Sequence, residues 1–130
     1  MVDTNVFIKV EKSGSKMDFS AWESERVFVS AITVSELLMG VHRANTEERR
    51  NRRRTFVETV ISAVGVLEFN VVVARVHSEI HSDLSNRGQL MGPHDLIIAA
   101  TARFHDLPLL TDNVDEFSRV SGLKVIPFTA

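Results

Sequence analysis

Apolar residues recur along this chain in two rhythms. Val27-Phe28-Val29-Ser30-Ala31 is a continuous β-branched and aromatic run, which reads as a strand buried on both faces. Val66-Leu67-Glu68-Phe69, Pro108-Leu109-Leu110-Thr111 and Leu123-Lys124-Val125-Ile126 read as further short strands. Between them the apolar positions return at helical spacing. One stripe runs Leu37, Leu38, Val41, a second Phe56, Val57, Val60, Ile61, Val64, and a third Val72, Val76, Ile80, Leu84. Residues 92–105 are different, because Leu96 to Ala102 is almost wholly apolar, which predicts a buried helix. Gly92-Pro93 opens it, since proline at the first helical position loses no intrahelical bond.

Punctuation sharpens the picture. Thr33 with Glu36 three residues on matches a capping box, Asn70 caps the third stripe, and Gly88 ends it. Another helix begins near Thr46. Val2 forms a very short strand that enters a turn or helix start at Asp3, and its brevity leaves room for a chain that begins upstream of Met1. Residues 9–16 read as a loop, Asp18 caps a short helix through Glu25, residues 111–117 form a turn or short helix, and Pro127 stops the last strand. Strands alternating with helices predict a parallel sheet covered on both faces.

Composition bounds the rest. With 130 residues and 44% hydrophobic content, one compact domain spanning 1–130 can bury a real core. Without cysteine there are no disulfides or thiolate metal sites, and a reducing compartment is the default. The start is not a signal peptide, and no run is long enough to span a bilayer, so a soluble cytoplasmic protein is expected. The net charge of −2 hides a polarity: six arginines stand against two glutamates from His42 to Arg54, a local +4, leaving 9 basic and 15 acidic residues elsewhere.

Ligands of open parallel sheets bind beyond the carboxyl ends of the strands. Asp3 ends the first strand, Glu36 opens the helix after the second, Asp112 and Asn113 end the fourth, and Asp95 opens the helix leading into that fourth strand. Crowded carboxylates repel unless a cation neutralises them, and oxygen ligands without sulfur select Mg²⁺ or Mn²⁺. Such an ion supports phosphodiester hydrolysis, with Arg43, Arg49 and Arg50 available to hold a nucleic-acid backbone. Simpler roles stand beside these: Asp3 in an Asx turn, Glu36 as the partner of Thr33, the arginines as a solvated helix face, and Thr111 as a strand-end cap. His77 and His81 are four apart on a helix but lack a third zinc ligand, His94 reads as a neighbour of the acids or a surface group, and Met39 and Phe56 read as core.

Asp3-Thr4-Asn5, Ser35 to Gly40, Gly92 to Ala102 and Leu110 to Phe117 together resemble the four signature blocks of PIN-domain ribonucleases, most closely the VapC toxins of toxin–antitoxin pairs. The likeness covers essentially the whole chain. It implies a three-layer α/β/α sandwich around a five-stranded parallel sheet and Mg²⁺- or Mn²⁺-dependent endoribonuclease activity, often on a structured RNA such as tRNA. The family's metal-site acids map onto Asp3, Glu36 and Asp95. For the fourth position the alignment favours Asn113 and the charge favours Asp112. Thr111, which can bond a coordinated water, and Asn5 join the three arginines as groups that could meet substrate. The resemblance further implies a homodimer and a cognate antitoxin, whose footprint is expected in an apolar groove near Leu37–Val41 and Trp22. Two other readings compete: an RNA- or protein-binding module on the same scaffold without effective catalysis, and a phosphoacceptor receiver domain, which needs adjacent acids where residues 3–5 supply only one.

Overall fold

The computed structural model describes residues 1–14 and 26–129; the short helix expected from Asp18 through Glu25, with Trp22, falls outside them. In chain order the elements are α1 (Thr4–Ser13), β1 (Phe28–Ser30), α2 (Ala31–His42), α3 (Glu47–Ala63), β2 (Gly65–Leu67), α4 (Val71–Asn86), α5 (Pro93–Phe104), β3 (Leu109–Thr111), α6 (Val114–Phe117) and β4 (Val125–Pro127). The strands form two parallel pairs, β1 with β2 and β3 with β4. Between the pairs lies Met1–Asp3. Val2 donates its N–H to Phe28 on one side, while Asp3 donates to Leu110 and Leu110 to Met1 on the other. Val2 bridges Leu110 in parallel sense. The expected first strand is therefore a single bridge residue, and the described residues show two pairs rather than a continuous five-stranded sheet.

Neighbouring residues of the strand layer point to opposite faces, and each face has its own core. Met1 and Leu109 pack with Val73, Ile80 and Leu84 of α4, Ile98 of α5 and Phe117. Val2, Val29 and Leu110 pack with Val6 and Phe7 of α1, Leu37 and Val41 of α2, and Val57 and Val60 of α3. Helices on both faces of short parallel strands make an α/β fold. The buried helix α5 behaves as its sequence dictates: Leu96, Ile98, Ala99, Ala100, Thr101 and Ala102 are buried, with Pro93 in the first turn.

Several local expectations are corrected. Residues 9–13 are not loop but the second half of α1, which ends at Gly14 in the left-handed conformation, φ 72°. In α4 the buried residue is Val73, while Val72 is 48% exposed. A stripe taken every fourth residue drifts by about 40° per step on a helix of 3.6 residues per turn, so eleven residues back from Leu84 lies closer to its face than twelve. Strand β2 lies one residue earlier than expected, at Gly65–Leu67, and leaves Phe69 exposed. Gly65 sits opposite Phe28, whose ring would lie 2.6 Å from any Cβ placed there. Pro127 is the last residue of β4, paired with Thr111, rather than the first beyond it. Met39 is exposed rather than core.

The α2 start is the correction with functional weight. Ser30, not Thr33, is its N-cap, and the Ser30 hydroxyl accepts from the Ile32 amide at 3.2 Å. The capping box does not form. Glu36 is consequently on the second turn, with its carboxylate free of any capping duty.

Candidate active site

The carboxyl ends of the strands gather the acids. Asp3 follows the Val2 bridge and is only 1% exposed. It is the N-cap of α1, but its side chain makes no capping bond to the later amides. Instead the Thr111 hydroxyl, at the end of β3, donates to Asp3 Oδ2 at 2.7 Å. The same hydroxyl accepts from the Asn113 amide at 3.0 Å. Thr111 is fully buried, so it holds Asp3 and the following turn rather than meeting a substrate. Replacing Thr111 with valine leaves one carboxylate oxygen and one amide without their partner. The expected cost is about 1–3 kcal/mol in a urea unfolding curve. A variant as stable as the wild type would assign Thr111 no part in holding Asp3.

Glu36 is approached from α1 and α5. Its Oε1 lies 2.8 Å from the Thr4 hydroxyl, which is also 2.9 Å from the Thr33 hydroxyl. A carboxylate has no proton to give, so Thr4 donates to Glu36 and Thr33 donates to Thr4. His94 Nδ1 stands 3.4 Å from Glu36 Oε2. Thr4 and Thr33 were legible in the sequence only as part of a motif and as a cap; neither fits the period of an apolar stripe.

Asp95 occupies the first turn of α5, next to the helix N-terminus. Its carboxyl is pushed up to about 7, first by burial, then by the charges of Asp3 and Glu116, by a hydrogen bond with Glu116, and by Glu36. Asp3 is raised too, by burial above all and further by Asp112 and Glu36, against the opposing bonds from Thr111 and the Thr4 amide. Asp3, Glu36 and Asp95 therefore share one electrostatic field.

Glu116 is a fifth acid of this group that the sequence reading did not single out. It lies on α6, where its Oε2 accepts from Asn113 Nδ2 at 2.9 Å and its Oε1 from the Gly92 amide at 3.2 Å. Burial works to raise its pKa, but the bonds from Asn113, Gly92 and Asp95 and the charge of Arg119 outweigh it and hold Glu116 low. The signal was present in the fourth block, three residues after Asn113 at a helix start. Asn113 spends its side chain on Glu116, and Asp112 pairs with Lys9 of α1.

Among the described residues no three carboxylates or imidazoles close on a common point as a ready metal cage. The donor chemistry nevertheless fits a hard divalent cation. Every acid gathered here offers oxygen, the carboxyl of Asp95 is kept from ionising by burial first and by its acidic neighbours next, and Asp112 Oδ1 is buried with no hydrogen-bond partner. Mg²⁺ commonly takes only one or two carboxylates directly and keeps several waters, so acids that share a field need not meet at one point.

The cationic stretch is partly structural. Arg49 donates to Asn45, Arg50 to the Ala44 carbonyl and Arg53 to the Gly40 carbonyl, fastening α3 to the end of α2. Arg43 is exposed at the α2 C-cap, and Asn5 is exposed on α1. Between α1, α2 and α3 runs a groove of about 230 Å³, floored by Phe7, Ile8, Leu37, Phe56 and Val57 and opening beside Glu36, with Arg43 and Arg53 on its rim.

Residues 1–123 match the family model for the PIN domain. The chain belongs to the PIN-domain family. Its likeness to VapC proteins extends nearly end to end. It is 35% identical over 127 residues to Ribonuclease VapC1 of Rickettsia felis, covering 97% of this chain and 93% of that one. It is 30% identical over 126 residues to the tRNA(fMet)-specific endonuclease VapC of Shigella flexneri, covering 95% and 93%. In three dimensions it overlays DNA-bound VapBC from Salmonella typhimurium with a TM-score of 0.84 at 29% identity, over 98% of this chain and 96% of that one. A receiver domain is thereby set aside, and the PIN reading of all four sequence blocks stands.

Proposed function

We propose that this PIN-domain chain is an endoribonuclease of the VapC type, the toxin of a toxin–antitoxin pair, that hydrolyses RNA phosphodiester bonds with Mg²⁺ or Mn²⁺. The observation that carries the reading is that Asp3, Glu36 and Asp95 act on one another at the strand ends, with Asp95 held near neutrality by burial and by the other acids. Three such groups are costly neighbours unless a cation compensates them. Asp3, Glu36 and Asp95 would hold the ion, with Asp112 or Asn113 completing its surroundings through water. When bound, a hard divalent ion lowers the pKa of water and offsets charge building on the phosphate.

The chain's own residues do the positioning. Thr111 fixes Asp3, Thr4 fixes Glu36, and Glu116 ties the turn before α5 to α6 so that Asp95 and Asn113 keep their places. Arg43, exposed beside Glu36, and the cationic start of α3 would meet the RNA backbone, and Asn5 could reach it from α1. In this reading Met1–Asp3 and the two strand pairs act together as one five-stranded parallel sheet. The name of the Shigella flexneri relative supports a tRNA as substrate.

The solved VapBC relative supports an antitoxin partner. The groove beside Glu36 is where an apolar segment of that partner would lie, with its end close enough to obstruct the acids, and a homodimer completes the assembly. Cytoplasmic action follows from the same reading, and among the described residues no helix is long and apolar enough to cross a membrane.

The test is cleavage of a tRNA pool by the purified chain. Turnover with Mg²⁺ or Mn²⁺, its loss in EDTA and in Asp3→Asn, and its restoration by added ion are expected. Cleavage that proceeds equally in EDTA would remove the metal from the reading. Salt-sensitive RNA binding without turnover under any of these conditions would leave a binding module on a PIN scaffold.

A further inference from the structure

Four of the five acids at the strand ends are steadied by neutral donors or by one another. Asp3 has Thr111, Glu36 has Thr4, and Glu116 has Asn113 and the Gly92 amide, while Asp95 shares a hydrogen bond with Glu116. Asp112 is held differently. Its Oδ2 pairs with the Lys9 ammonium, and its Oδ1 is buried with no hydrogen-bond partner. Among the described residues this is the one ion pair between the acidic group and a lysine or arginine; the other contact of this kind is the His94–Glu36 approach.

Lys9 is well placed for the task. It lies on α1, the helix that starts at Asp3, and it reaches the turn after β3, the strand whose Thr111 bonds Asp3. The pair thus joins the two segments that carry Asp3 and its hydroxyl partner. The Lys9 side chain is 51% exposed and that of Asp112 18%, so the ammonium can leave for water while the carboxylate cannot. A lysine is a compact point charge on a flexible stem, able to take such a position and give it up. The Asp112 charge already bears on Asp3, and the Lys9 ammonium beside it offsets part of that charge.

We propose that Lys9 is a positioning residue that offsets the charge of Asp112 and so sets how tightly the acids hold a divalent ion. The inference rests on the metal-dependent reading of the site. With Lys9 in place the site presents one negative charge fewer, and Asp112 is held toward α1. With Lys9 gone, Asp112 is an additional attraction for the ion. The ammonium acts as a brake on metal binding, one that an RNA phosphate competing for it would release.

The experiment is a calorimetric Mn²⁺ titration of the full chain without RNA, at low ionic strength, for the wild type, Lys9→Met, Lys9→Arg and the double variant Lys9→Met with Asp112→Asn. Lys9→Met is expected to bind Mn²⁺ about threefold more tightly or better, as loss of an opposing charge in a partly solvated site predicts. The gain should shrink in about 0.5 M salt, where exposed charges are screened. Lys9→Arg should match the wild type, and the double variant should lose the gain, because the effect runs through Asp112. Urea unfolding checks that each variant folds; Lys9→Gln replaces Lys9→Met if the latter does not. A wild type that binds Mn²⁺ together with a charge-removed variant that binds no more tightly overturns the inference alone. A gain that persists in the double variant overturns it too. A wild type that binds no Mn²⁺ overturns both this and the metal-dependent reading.

Discussion

Asp95→Asn is expected to reduce RNA cleavage by on the order of a hundredfold or more, at or beyond the roughly 10- to 100-fold scale of groups that support a metal-site ligand, while making the ion-free protein more stable at about pH 8. The two effects have one cause. In the folded protein the Asp95 carboxyl is pushed up to about 7 from its ordinary value of 3.8, by burial first and by Asp3 and Glu116 next. Between those two values the folded state holds a proton that the unfolded state has lost. Stability from this group is therefore fully present below about pH 4, falls as pH rises toward 7, and is level above that. The side chain is only half buried, and solvent softens the size of the effect without changing its sign. Asparagine keeps the shape and removes the charge, so the decline should flatten. Melting curves from about pH 5 to pH 8 in EDTA, for wild type and variant, read this directly, and added Mn²⁺ should restore stability to the wild type at the upper end. An Asp95→Asn protein that cleaves RNA as the wild type does, or that melts lower at pH 8, would show that this carboxyl is neither a metal-site group nor under strain.

Phe117→Ala should be the most damaging core substitution near the site, costing about 3–5 kcal/mol. Phe117 is fully buried at the end of α6, within the core shared by α4 and α5. A loss of that size is a large share of the stability of an ordinary domain, roughly 5–15 kcal/mol. The side chain has a second task. Helix α6 is only four residues long and cannot persist by itself. Phe117 anchors it, and the anchor keeps Glu116 on Asn113 and on the Gly92 amide. The variant should therefore show a lower urea midpoint with an unchanged slope, and at temperatures where it remains folded its cleavage should be impaired more than that of a core variant on the opposite face, such as Val60→Ala. Equal impairment in both would mean that α6 does not steady the site.

The match between sequence and structure varies with how local the determining physics is. Helix α5 was readable because an apolar run behind Gly-Pro has one good solution, and Asp95 then has to lie in its first turn. The acids of the four blocks were readable as a group because strands that alternate with helices bring their carboxyl ends to one rim. Burial faces were readable only approximately. Val72 and Val73 differ by one residue in a run of three valines, and packing against α5 chose between them. The α2 start misled because Thr33 and Glu36 have the spacing of a capping box, yet Ser30 at the strand end was nearer to where the chain must turn. That change of three residues released Glu36 for the site and committed Thr33 to Thr4.

By itself, then, the sequence determined the α/β class, the buried helix behind Gly92, and four of the five acids that act on one another, since each follows from periodicity, turn chemistry or order along the chain. Only the tertiary structure decided what each acid touches. Thr111 on Asp3, Thr4 on Glu36, Glu116 beside Asp95 and Lys9 on Asp112 are contacts between segments up to 108 residues apart. No local rule specifies such pairs, because they depend on how two cores, one on each face of a short strand layer, fix the relative positions of the elements that carry them.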